Sequence, residues 1–128
     1  MNKMMLAALA VAGAAVASVP ADAQMGWRTV GTKTVNGRDT DTINLRGHAR
    51  FRQVRLCTIN APIRMRDFDI RFDNGQRYDV AVRQFMRAGS CTRNIDLPGN
   101  RRDIDAIRLR YEPLQRGARR PLIRVQAR

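Results

Sequence analysis

Asp73-Asn74-Gly75 separates two runs in which apolar and charged residues alternate, and this pattern constrains the fold more than any other stretch. One arm is Phe68-Asp69-Ile70-Arg71-Phe72; the other is Arg77-Tyr78-Asp79-Val80-Ala81-Val82. A period of two places apolar side chains on one strand face, and Asn-Gly between such runs signals a β-hairpin. The arms also select the loop length. A two-residue loop at Asn74-Gly75 would pair Phe72 with Arg77 and Ile70 with Asp79, setting apolar side chains against charges. A three-residue loop pairs Phe72 with Gln76, Ile70 with Tyr78 and Phe68 with Val80. Its last position wants a left-handed residue, which Gly75 supplies. This register puts Asp69 opposite Asp79 and Arg71 opposite Arg77, with opposite signs on the diagonals. The four charges then form a solvated quartet on the outer face, worth little in stability.

Similar short runs fill the rest of the chain. Trp27, Val30 and Val35 mark a first strand, irregular at Gly31, and Thr42 to Leu45 a second. Phe51 to Ile59 is a longer strand that ends at Asn60-Ala61-Pro62, since Pro has no amide to donate to a ladder. From Ile63 to Phe72 the apolar phase changes near Arg66-Asp67, which predicts a β-bulge or a break. The phase shifts again between Val82 and Phe85. Cys91 to Leu97, Ile104 to Tyr111 and Leu122 to Val125 complete the set, with Pro98-Gly99 as a type II turn pair. After residue 23 no segment keeps a helical period for three turns. An antiparallel β-sandwich, or a small barrel, of about seven or eight short strands is the expected fold.

Residues 1–23 stand apart. Lys3 precedes an apolar run from Met4 to Val19, and Ala21-Asp22-Ala23 matches the small-x-small pattern of signal peptidase sites. The run is short for a membrane span and stops at Pro20, so cleavage is favoured over an uncleaved N-terminal anchor. The expected organisation is a signal peptide over 1–23 and one β-sandwich domain over 24–128, in a periplasmic or secreted protein. Cys57 and Cys91 are the two cysteines, and an even count in an exported chain predicts a disulfide. Closing a loop of about 35 residues is worth roughly 3–4 kcal/mol in the chain-entropy model.

The stretches Asp39-x-Asp41-x-Ile43 with Val54-Arg55-Leu56, Phe72-x-Asn74-Gly75, and Gly89-x-x-Thr92-Arg93-x-Ile95-Asp96-Leu97-Pro98-Gly99-x-x-Arg102-x-Ile104 resemble a family of small exported bacterial proteins. The family is of unknown function. The resemblance implies an exported all-β domain and brings no activity or cofactor with it.

Enzyme chemistry finds few candidates. His48, the single histidine, stands in a turn, and Glu112, the single glutamate, stands beside Pro113. Asp67, Asp69, Asp73 and Asp79 alternate with arginines, as a solvated strand face does. No phosphate-binding loop, serine-hydrolase elbow or zinc-protease motif occurs. Asp39 and Asp41 share a strand face, but two ligands are too few for a cation in a strongly positive field. No catalytic residue, metal site or cofactor is assigned, and a hydrolase ranks third among the functions considered.

The strongest functional signal is basic. The formal net charge is +13, and every basic residue except Lys3 and Lys33 is Arg. Arg101 and Arg102 follow the Pro98-Gly99 turn, and Arg116, Arg119 and Arg120 crowd one loop. Arg108, Arg110 and Arg124 occupy alternate positions on the last two strands. If those strands pair, all eight form one anion-binding edge, and Arg suits phosphate and carboxylate through bidentate geometry. The export signal argues against nucleic acid as the native partner, and the aromatic residues fall mostly at inward positions, leaving no stacking platform. The reading is a non-catalytic binding module for an anionic envelope component, such as lipopolysaccharide, anionic lipid head groups or an acidic glycan, or for an acidic protein surface. The alternative is a structural or protein-interaction module whose arginines only maintain solubility.

Overall fold

Eight strands build the fold of the computed structural model, which describes residues 26–45, 50–99 and 101–128. The signal peptide expected over 1–23 and His48 lie outside the described residues. The strands are β1 (Arg28–Thr34), β2 (Thr40–Asn44), β3 (Gln53–Ile59), β4 (Ile63–Phe72), β5 (Arg77–Met86), β6 (Ile95–Asp96), β7 (Ile104–Tyr111) and β8 (Leu122–Ala127). They form two four-stranded sheets in the orders β1-β8-β3-β6 and β2-β7-β4-β5, and every pairing is antiparallel. There is no helix among the described residues.

The alternation read from the sequence creates the core. Val54, Leu56, Ile123 and Val125 from the first sheet meet Phe68, Ile70, Phe72, Ile107 and Leu109 from the second, all fully buried. Sheet-on-sheet burial of this kind drives the fold, since each sheet covers the other's apolar face. Gly31 closes one side. A Cβ there would meet the end of the Leu45 side chain, which would have to shift to admit it.

The hairpin has the three-residue register: Phe68 faces Val80, Ile70 faces Tyr78, Asp69 faces Asp79 and Arg71 faces Arg77. Gly75 has φ of 87°, the left-handed value that the loop requires. The expected irregularity at Arg66 is a β-bulge. Against β7, Arg66 is the extra residue between Met65, opposite Tyr111, and Asp67, opposite Arg110. Against β5, Arg66 in turn faces both Val82 and Arg83, and Arg83 takes a positive φ of 32°. The phase shift after Val82 is therefore a second bulge. It does not end the strand, which continues to Met86.

Two expectations need correction. The strand expected from Cys91 to Leu97 shrinks to Ile95–Asp96, with a single bridge between Cys91 and Cys57. Here the Thr92 hydroxyl accepts the Leu56 amide at 3.1 Å, so a side chain replaces part of the ladder. The second correction concerns β7 and β8, which do not pair. β7 lies between β2 and β4, whereas β8 lies between β1 and β3 in the other sheet.

Candidate functional site

The double bulge shapes a cleft of about 480 Å³ at one end of the second sheet. Met65 forms part of its floor, and Arg64, Arg66, Arg83 and Arg110 surround it together with Asp67, Gln84 and Glu112. A regular ladder would send residues 64 and 66 to the same side at even spacing. The extra residue instead crowds Arg66 and Arg83 together, because a bulge bends the strand and re-aims its side chains. Arg64 Nε lies 3.3 Å from Glu112 Oε2, and Arg110 Nε lies 3.7 Å from Asp67 Oδ1. These exposed pairs contribute roughly 0–1 kcal/mol each to the fold. Arg66 and Arg83 have no ion-pair partner among the described residues. The cleft thus carries four cations against two anions.

A second cleft of about 440 Å³ adjoins it and shares Arg64 and Glu112. Its walls are more apolar, with Pro62, Phe85, Pro113, Leu114 and Ala118, and Arg119 lies at its margin. Phe85 is 48% exposed, and the Arg64 guanidinium lies 5.1 Å from its ring centroid. This qualifies the expectation that aromatic residues point inward. Phe85 shares strand parity with the exposed Arg77, Asp79, Ala81 and Arg83, and so faces outward opposite Arg64.

The eight arginines proposed as one anion-binding edge are dispersed. Arg110 lines the first cleft and Arg119 the second, while Arg116 and Arg120 line a separate hollow beside Asn36 to Arg38. Arg108 lies on the outer face of the second sheet, between Thr42 and Asp69. Arg124 lies on the first sheet, between Thr32 and Cys57, because β7 and β8 belong to different sheets. Arg101 and Arg102 are at the opposite end, beside the hairpin loop. There Arg102 donates to Gln76 Oε1 at 2.8 Å and to the Pro98 carbonyl at 3.2 Å, with its guanidinium 3.9 Å from the Phe72 ring centroid. Arg64, Arg66 and Arg83 were not singled out from the sequence. The only hint of them was the phase change near Arg66-Asp67, read there as architecture.

Asp41 is buried, 5% exposed, and is held from several sides. It accepts from the Tyr111 hydroxyl at 2.5 Å and from the Asn36 amide at 2.9 Å, and Lys33 Nζ lies 3.8 Å away. Burial, and then the hydrogen bond to Asp41, push the Tyr111 phenol well above its ordinary range. This cluster pins the β1–β2 connection. Among the described residues no group of three or more His, Cys, Asp or Glu is placed to hold a metal ion.

The outer face of the first sheet carries the Cys57–Cys91 disulfide, which bridges directly opposed residues. Beside it Trp27 is covered by Arg55 and Arg128, at 4.3 and 4.4 Å from its ring centroid.

Two antiparallel sheets, a cross-strand disulfide and an arginine-lined end cleft define a small, basic, disulfide-bonded β-sandwich. The chain belongs to the family described as "Domain of unknown function (DUF2541)", whose model matches residues 4–127. That agrees with the resemblance to a family of unknown function. No curated protein matches the sequence. A solved structure of Pseudomonas aeruginosa AlgX is similar with a TM-score of 0.54 and 11% identity, over 79% of this chain and 27% of that one. At such identity the likeness is one of fold, and this chain spans only a fraction of AlgX.

Proposed function

We propose that this protein is an exported, non-catalytic module that binds an anionic component of the cell envelope. The observation that carries the reading is the convergence of Arg64, Arg66, Arg83 and Arg110 on one cleft, with Arg66 and Arg83 lacking acidic partners among the described residues. Guanidinium groups suit carboxylate and phosphate through paired N–H donors, and a net charge of +13 raises the local concentration of polyanions. The disulfide supports an oxidising compartment outside the cytoplasm, and the N-terminal apolar run supports export to the periplasm.

The test is retention of the purified domain on heparin or lipopolysaccharide as salt is raised. Arg66→Glu with Arg83→Glu should abolish retention at moderate ionic strength, whereas Arg116→Glu, Arg119→Glu and Arg120→Glu together should weaken it only partly. Retention that survives the Arg66/Arg83 reversal removes the cleft as the site. Capture of an envelope protein whose affinity ignores salt would favour the protein-interaction alternative instead.

A further inference from the structure

We infer that the two adjoining clefts form one groove for an acidic glycan, with sugar rings against Phe85 and sugar carboxylates on the arginines; this rests on the anion-binding reading above. Three features distinguish such a ligand from a phosphate-dense polymer or a lipid surface. First, the groove mixes charges. Arg64 and Glu112, 3.3 Å apart, stand at the junction of the two clefts. Such a couple presents donors and acceptors side by side, which matches hydroxyl groups that both give and accept hydrogen bonds. Ionised phosphates only accept hydrogen bonds, so a row of them offers no donor to Glu112 and Asp67, whereas sugar hydroxyls do. Second, Arg66 and Arg83 provide positive charge beyond those couples, which calls for a carboxylate on the sugar rather than a neutral glycan. Third, Phe85 is the one exposed large hydrophobic side chain among the described residues. A single ring offers an apolar plane for the C–H face of a pyranose. It is too little apolar surface to enter a bilayer, which takes a broad patch.

Equilibrium binding of the purified chain to polygalacturonate, to its carboxyl-reduced neutral counterpart, and to vesicles rich in phosphatidylglycerol tests the inference. Polygalacturonate should bind, and both the reduced polymer and the vesicles should bind at least about tenfold more weakly. Phe85→Ala should weaken polygalacturonate binding about fivefold without altering charge, and Phe85→Tyr should restore it. Phe85 is exposed, so neither variant perturbs the core. Binding to vesicles but not to polygalacturonate overturns the glycan assignment and leaves the anion-binding function standing. Equal binding by wild type and Phe85→Ala also overturns it. No binding to any of the anionic probes removes both readings.

Discussion

The Tyr111 hydroxyl donates to Asp41 Oδ2 at 2.5 Å, joining the end of β7 to the edge strand β2 across 70 residues of sequence. The same phenol oxygen accepts the Gly37 amide at 3.0 Å, so one buried side chain satisfies both a carboxylate and a turn amide. Removing it would leave the buried carboxylate and the part-buried Gly37 amide without this partner.

Tyr111→Phe should therefore destabilise the domain by about 1–3 kcal/mol, because buried polar groups left unsatisfied keep their full desolvation cost. The effect has a pH signature. The phenol is raised in the folded state above its ordinary value of 10.0. Its contribution is fully present below pH 10 and is lost as pH rises beyond it, because the unfolded chain ionises first. Urea midpoints measured from pH 8 to 11.5 should fall above pH 10 in the wild type and fall less steeply in Tyr111→Phe. Parallel pH curves would mean that the phenol is not held as described.

Arg101 and Arg102 are adjacent, and their substitutions should differ. Arg102 stacks on Phe72 and hydrogen-bonds to Gln76, fixing the hairpin loop, while Arg101 is exposed. Arg102→Ala should cost about 1–2 kcal/mol in chemical denaturation, and Arg101→Ala should stay within about 0.5 kcal/mol of wild type. Polyanion affinity should respond weakly to either. A large loss of affinity in Arg102→Ala with unchanged stability would return Arg102 to the binding surface.

Trp27 is the single tryptophan and is 3% exposed, although it lies on the outer face of its sheet. Arg55 and Arg128 shield it, one on β3 and the other just beyond β8. Arg128→Ala should shift Trp27 emission to longer wavelength and increase its quenching by acrylamide, with a stability loss of about 1 kcal/mol. Unchanged emission would show that other groups alone keep water from the ring.

Much of the fold was legible in the chain because it rests on local rules. The parity of Phe68, Ile70, Tyr78 and Val80 admits one hairpin register with a coherent apolar face, and Gly75 supplies the backbone conformation that register needs. The phase change at Arg66 announced the bulge. The candidate site was less legible, because a bulge in sequence is only a change of phase. That Arg66 faces Arg83, and that Phe85 lies opposite Arg64, depends on how β4 pairs with β5.

By itself, the sequence determined the all-β class, the faces of individual strands, the hairpin loop and the pairing of Cys57 with Cys91, since side-chain period, turn chemistry and cysteine count are local or arithmetic properties. Only the tertiary structure decided that β7 and β8 join different sheets. That choice sends Arg108 and Arg124 to opposite sides of the molecule, buries Asp41 under Tyr111, and gathers Arg64, Arg66, Arg83 and Arg110 into one cleft. Strand order is set by which apolar faces bury each other best across long loops, and alternation along a single strand carries no record of its neighbours.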